Sequence, residues 1–245
     1  METIKLNELY PYEKLEPSET EKLFEINKIT KTRVDSKKTN IREHYGIEQS
    51  FVLYNVAKKY KCKNMVEIGT GRGTGSYSVS LLDHVKRVDT FDIIEHTKKV
   101  PMAVNFKSFY GSNKDLYNMI KYDEKSKINF KHINELNSVY LKNNENKFDM
   151  AFIDGNHTNY NIIMNDFKNC LKLTNDEGII VFDDYGNFPV VTRVVNDIME
   201  KYSDFKYIMV PFRGHYFKEW SKGEEEEGSG EVLCFKKKEI FSNNL

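Results

Sequence analysis

The stretch MVEIGTGRGTG, Met65 to Gly75, ends an apolar run on an acidic residue, Glu67, and then places glycine at every second position from Gly69 to Gly75. An apolar run of strand length followed by a glycine-rich turn predicts a strand feeding a helix, with backbone free to approach a ligand at the turn. The dinucleotide fingerprint G-x-G-x-x-G requires a third glycine three residues after the second. That place is Thr74 counted from Gly69 and Gly71, and Ser76 counted from Gly71 and Gly73, so the spacing argues against a nicotinamide dinucleotide. A carboxylate at Glu67 would repel a pyrophosphate and suit a ligand that is cationic or rich in hydroxyls.

Outward from this loop, short apolar runs recur at NMVEIG, RVDTFDII, INFKHI, FDMAFID, GIIVFDD, FKYIMVPF and EVLCFKK, each of strand length. Helical periods lie between most of them. Ile163, Phe167, Cys170 and Leu171 share one face, as do Val190, Val194 and Ile198 behind Pro189, a residue suited to a first helical turn. Strand and helix in alternation predict an α/β fold, a seven-stranded, mostly parallel doubly wound sheet. The last two runs are joined by the polar RGHYFKEWSKGEEEEGSG and read as a C-terminal antiparallel hairpin at the sheet edge. Residues 1–60, including a helix around Ile47 to Tyr60 with Ile47, Phe51 and Tyr54 on one face, read as an N-terminal helical cap on a core spanning 61–238, within a single domain over 1–245. The segment EHTKKVPMAVNFKSFYGSNKD, interrupted by Pro101, has a weak period and reads as an irregular or lid-like insert.

Lys plus Arg and Asp plus Glu each total 37, a formal net charge of zero. No long-range positive field draws this chain to nucleic acid or to an anionic membrane, which leaves a small molecule as the expected partner. Cys62, Cys170 and Cys234 form no C-x-x-C pair and read as buried thiols of a reducing compartment. The opening METIKLNELYPYEKLEPSETEK has no basic segment followed by an apolar one, and no run approaches the roughly 20 apolar residues that span a bilayer. A cytoplasmic protein is the expectation, with oligomeric state, a homo-oligomer included, left open.

VEIGTGRGTG and the closing antiparallel strand resemble the S-adenosylmethionine-dependent methyltransferases of the Rossmann-like, seven-stranded type. The resemblance implies S-adenosylmethionine as cofactor, held by Glu67, Gly69, Thr70, Gly71, Gly73, Asp92 and Asp154. The glycines would face the methionine portion, Glu67 would steady that end of the pocket, and Asp92, ending the second run, would take the ribose. Asn134 or Glu135, ending the third, would lie on the adenine side. FDMAFIDGNHTNY followed by EGIIVFDDY is similar to a branch with D-G-x-H after the fourth strand and paired aspartates after the fifth. Relatives of that branch methylate oxygen on sugars and other small molecules.

Parallel neighbours at those two strand ends bring Asp154 together with Asp183 and Asp184, carboxylates that repel unless a cation intervenes. Magnesium or another divalent cation with oxygen ligands would serve, as would the sulfonium of the cofactor itself. His157, three residues after Asp154, is the candidate base for an acceptor hydroxyl, with His215 the alternative base, and Arg213, His215 and Trp220 are candidates for contact with the acceptor. Asp154 and Asp183 can instead cap the helices that follow them. Two rivals stand beside methyl transfer. A nicotinamide-dependent oxidoreductase or epimerase lacks the required glycine spacing, and a non-catalytic nucleoside-binding protein has no use for Asp154, His157, Asp183 and Asp184 together.

Overall fold

The computed structural model describes residues 1–30, 47–104, 107–142, 147–211 and 230–236. Its strands are β1 (Glu2–Thr3), β2 (Asn64–Ile68), β3 (Arg87–Asp92), β4 (Val100–Val104), β5 (Lys107–Gly111), β6 (Ile128–His132), β7 (Phe148–Ile153), β8 (Thr174–Tyr185), β9 (Lys206–Pro211) and β10 (Gly230–Phe235). The α-helices are α1 (Leu6–Leu9), α2 (Pro17–Thr30), α3 (Ile47–Lys59), α4 (Thr74–Ser80), α5 (Asn113–Met119), α6 (Ile133–Glu135), α7 (Tyr160–Leu173) and α8 (Pro189–Lys201).

The central sheet has the order β1-β9-β10-β8-β7-β2-β3-β6. All seven strands expected from the apolar runs are in it. The eighth is β1, which adds to β9 in parallel through Glu2 and Thr3. Two residues of unremarkable polarity carry no periodic signal, so this edge was not legible. The closing hairpin also sits one place further in than expected. β10 runs antiparallel to both β8 and β9 and lies between them, so the hairpin's second strand is internal and β1 covers its first.

Strand alternation sorts the core into two layers. Met65, Val88, Met150, Phe152, Ile179, Val181 and Ile208 face one cluster, with Phe51, Leu53 and Val56 of α3 and Leu23 and Ile26 of α2. Val66, Ile68, Phe91, Ala151, Ile153, Ile180 and Phe182 face the other, with Phe167 and Cys170 of α7 and Val194 and Ile198 of α8. Apolar residues at successive positions of one strand are what a parallel sheet covered on both faces requires. Pro189 opens α8 in its first turn. Residues 1–30 and 47–60 pack largely as helices on the first face. Asn27 of α2 donates to Ser50 Oγ of α3 at 2.7 Å, and Thr74 Oγ1 of α4 donates to Thr30 Oγ1 at the end of α2 at 2.9 Å.

The segment read as irregular forms a two-stranded antiparallel sheet, β4 with β5, pairing Val100 with Gly111 and Met102 with Phe109. Pro101 sits opposite Tyr110 in a ladder of only two strands, where a residue without an N–H is tolerated at the edge. Among the described residues no helix is long and apolar enough to cross a membrane. Cys62, Cys170 and Cys234 are all buried and unpaired.

The layer assignment is testable through α7. Phe167 is fully buried, with its ring 5.7 Å from that of Phe182 and 5.3 Å from that of Tyr202. Phe167→Ala is expected to lower stability in urea unfolding by about 3 to 5 kcal/mol. Ile162→Ala, on the outer side of the same helix, should change it by less than about 0.5 kcal/mol.

Candidate active site

β2 lies between β3 and β7, the point at which the strand order reverses and where ligands bind in sheets of this kind. The loop after β2 is tied to both neighbours. Gly69 N–H donates to Phe91 O at 2.8 Å, and Asp154 N–H donates to Ile68 O at 2.8 Å. Gly69 has φ +96°, and a Cβ there would stand 2.2 Å from Asp154 O. Its glycine is therefore demanded by the crossing of the two loops. Gly73, with φ +81°, starts α4, and a Cβ would meet the Tyr77 ring at 2.6 Å. Gly71 differs from both. Its φ is +50°, but a Cβ would meet nothing within 4 Å, because that direction is open.

The open space is a cavity of about 420 Å³ whose wall includes Glu67, Thr70, Gly71, Asp92 and Asp154. Five of the residues expected at the cofactor thus converge on one cavity, while Gly69 and Gly73 shape the loop behind it. Glu67 projects to the α3 and α4 side by strand alternation and is almost fully buried. Ser76 Oγ and Thr90 Oγ1 both donate to its Oε2. Burial outweighs these bonds and pushes its carboxyl up to about 7, so Glu67 is a soft charge at neutral pH. Asp92 accepts from Gly71 N–H at 3.1 Å and Ile94 N–H at 2.9 Å, which leaves it at the mouth of the strand facing the cavity.

Asn134 is exposed and outside this wall. Its N–H donates to His132 Nδ1 at 3.3 Å, and the Glu135 carboxylate accepts from His132 N–H at 3.2 Å. The Glu135 side chain is thus engaged in capping α6, whereas Asn134 joins the cap only through its backbone. The wall beyond Asp92 is instead made by Ile94, Val100, Pro101, Met102 and Asn113. Asn113 is held through its amide, 3.3 Å from His96 Nδ1, while His96 Nε2 lies 2.9 Å from Lys131 O. Gln49, Arg72 and Thr74 complete the polar lining. Gln49 and Asn113 come from elements without a motif and left no trace in sequence. Arg72 was in plain view, the only charged residue among the loop glycines.

Beside the cavity a second group gathers. His157 Nε2 lies 3.3 Å from Asp154 Oδ1 and 3.2 Å from Asp184 Oδ2. One ligand atom from each of Asp154, His157 and Asp184 falls within 4.8 Å of the others, the one such cluster among the described residues. The expected carboxylate trio is corrected here. Successive strand residues face opposite ways, and Asp183 turns to the α3 side, buried, where it accepts from Gln49 Nε2. Asp184 leaves the ladder with φ +60°, and its carboxylate meets His157 and, at 3.1 Å, Asn187 Nδ2. The Phe188 ring stands edge-on to His157 at 4.7 Å. Arg213, His215 and the loop holding them lie outside the described residues.

The methyltransferase-domain profile matches residues 66–185, the span from the glycine loop to the paired aspartates. An uncharacterized protein of Acanthamoeba polyphaga mimivirus, R132, is 31% identical over 178 residues, covering 65% of this chain and 72% of its own. The chain belongs to the methyltransferase-domain family. Solved methyltransferases of this fold include the O-methyltransferase of Bacillus cereus in complex with S-adenosylhomocysteine, at TM-score 0.54, 15% identity and coverage of 91% and 92% of the two chains. TomG of Streptomyces achromogenes, an O-methyltransferase of tomaymycin synthesis solved with S-adenosylmethionine, gives TM-score 0.55, 16% identity and coverage of 91% and 90%. A putative O-methyltransferase from Klebsiella pneumoniae gives 0.56, 14% and 90% of each. At these identities the likeness is one of fold, the class I Rossmann-like fold of S-adenosylmethionine-dependent enzymes. This methyltransferase differs from the expected sheet by its extra edge strand, which moves the closing hairpin one place in.

Glu67 supplies a pH test. Its value of about 7 in the folded protein lies above the ordinary 4.5, so the native state holds more protons than the unfolded state between these values. The stability contributed by the neutral carboxyl is complete below about 4.5 and is lost as pH rises through about 7. Urea midpoints of the methyltransferase should therefore fall across this window. Glu67→Gln, which keeps an acceptor for Ser76 and Thr90, should reduce that fall, leaving the part owed to Asp166, which burial raises to about 6.

Proposed function

We propose that this methyltransferase transfers the methyl group of S-adenosylmethionine to a hydroxyl oxygen of a small molecule or sugar, assisted by a divalent cation. The observation that carries the reading is the double role of Asp154, which lines the cavity and also belongs to the cluster with His157 and Asp184. The cofactor's methyl group and an acceptor oxygen have to meet between two such places.

The cavity fits the cofactor's chemistry. Gly71 leaves open the space a Cβ would fill, Asp92 offers a carboxylate to ribose hydroxyls at a strand end, and Glu67 and Asp154 offer negative charge to a sulfonium. The cluster offers two carboxylates, which suit a hard divalent ion, and an imidazole, which favours a transition ion such as manganese over magnesium. Asp154, His157 and Asp184 would hold such an ion. When bound, it supplies positive charge that lowers the pKa of the acceptor hydroxyl.

The reaction needs little covalent help from the protein. The acceptor oxygen forms its bond to the methyl carbon as the sulfur–carbon bond breaks, in line, with the electron pair staying on sulfur, and the hydroxyl proton, its pKa lowered, passes to solvent water. The chain's contribution is positioning: the loop after β2 fixes the donor, and Asp154 keeps acceptor and donor in register. Phe188, partly exposed beside His157, offers an apolar surface to the acceptor's carbon skeleton. The chain's zero net charge agrees with a small neutral acceptor. A nicotinamide enzyme is disfavoured by the glycine spacing, and a passive nucleoside binder leaves the Asp154, His157 and Asp184 cluster without a purpose.

Manganese titration in the presence of S-adenosylhomocysteine tests the ligand set without knowledge of the acceptor. The wild type is expected to bind the ion, and Asp154→Asn or Asp184→Asn to abolish binding. Asp183→Asn, whose side chain turns to Gln49, should retain it. If the wild type binds no manganese, the metal role is lost, and His157 between its two carboxylates becomes a metal-free general base.

A further inference from the structure

We propose that His96 is a positioning residue that locks the β4–β5 ladder against the cavity and so sets how long the cofactor stays bound, an inference that rests on the S-adenosylmethionine reading above. The wall beyond Asp92 includes Val100, Pro101 and Met102 of β4, yet β4 and β5 form a sheet of their own, outside the central one. Two strands alone are marginal in water, so this part of the wall needs a hold from outside its own ladder. Some of it comes from α2, which β4 approaches. The outer side gives little, since Tyr110 of β5 is 69% exposed.

The rest of the hold gathers at the base of the insert, where His96 precedes β4 and Asn113 and Lys114 follow β5. Lys114 N–H donates to His96 O at 3.0 Å. His96 Nε2 lies 2.9 Å from Lys131 O of β6, a carbonyl that can only accept, so the neutral ring carries its proton on Nε2 and turns a bare Nδ1 to Asn113 Nδ2, 3.3 Å away. One tautomer thus satisfies both partners. The ring also tilts against that of Phe130 in β6, with centroids 4.9 Å apart. His96 therefore joins the two ends of the insert to each other and both of them to the edge strand of the central sheet. It is not part of the cavity wall, whereas Asn113 is, so its effect on a ligand passes through Asn113 and the ladder it anchors. A wall that opens by local unfolding releases what it encloses, and the opening rate depends on the bonds that have to break. Those bonds include the two made by the His96 ring.

Hydrogen exchange and surface plasmon resonance with S-adenosylhomocysteine test the latch without turnover. In the wild type, saturating S-adenosylhomocysteine is expected to slow exchange of the β4 and β5 amides. His96→Ala is expected to speed their exchange in the free protein by roughly tenfold, the worth of about one net hydrogen bond, while β2 and β7 exchange as before. It should raise the dissociation rate of S-adenosylhomocysteine by a similar factor and leave the association rate little changed. His96→Phe keeps a ring against Phe130 and loses both hydrogen bonds, so it should show the same increases and serves if the alanine variant fails to fold. His96→Gln, which keeps a donor for Lys131 O, should fall between these variants and the wild type. Equally faster exchange in β2 and β7 would overturn the proposal and make His96 a support of the whole fold. Unchanged exchange of β4 and β5 would overturn it in favour of α2 as their hold, and an unchanged dissociation rate would show that the ladder does not retain the ligand. A wild type that binds S-adenosylhomocysteine without protecting β4 and β5 would overturn it and leave the cofactor reading intact. A wild type that binds none would sink the cofactor reading, and the proposal with it.

Discussion

The site depends on how closely the end of β2 is stitched to the strands on either side. Gly69 N–H reaches Phe91 O across one boundary and Asp154 N–H reaches Ile68 O across the other. The two loops approach so near that a methyl group at Gly69 would lie 2.2 Å from Asp154 O. Any other residue at 69 would force them apart, and would also meet a backbone angle that side chains resist. This closeness sets Asp92, Gly71 and Asp154 around one cavity although they are far apart in sequence. The strand reversal at β2 opens the crevice, and Gly69 keeps its two walls in contact at the base.

A second consequence of sheet geometry separates residues that look equivalent in sequence. Asp183 and Asp184 are adjacent aspartates at the end of β8, yet they serve opposite faces. Asp183 continues the alternation of Val181 and turns to the side of α3, where Gln49 meets it. Asp184 breaks the alternation with φ +60° and carries its carboxylate to His157. Gln49 also lines the cavity, so Asp183 acts on the site indirectly, by holding the amide that forms part of the wall. The pair therefore divides into a positioning residue and a member of the charged cluster.

The fold was largely legible because its signal is local. Seven apolar runs, two helical stripes and Pro189 before α8 each reflect burial within a single element, and burial of that kind is written in residue period. What was not legible depends on partners distant in sequence. β1 is two residues long and owes its existence to the free edge of β9. The β4 and β5 ladder replaced an expected irregular segment because a two-stranded sheet tolerates Pro101 and polar residues that mask its alternation. In the site, the glycine loop, Asp92, Asp154 and His157 could be named from motif spacing. Asn113 could not, since it matters only because His96 and Lys131 hold it against the cavity. Asn134 and Glu135 stood at the right strand end but lie outside the wall, and the Glu135 carboxylate is drawn into capping α6, a local hydrogen bond that sequence order does not reveal.

The cavity's charge balance suits a cofactor that changes charge as it reacts. Its wall carries Asp92, Asp154 and Arg72 with Glu67 raised to about 7, so its formal charge is one negative unit with Glu67 protonated and two with it ionised. S-adenosylmethionine, with sulfonium, ammonium and carboxylate, bears one net positive charge, and S-adenosylhomocysteine bears none. Loss of the methyl group therefore removes the charge that the negative wall attracts, while the ribose contact proposed for both forms stays the same. Binding energy that is common to donor and product cannot drive exchange, whereas the part that vanishes with the sulfonium can.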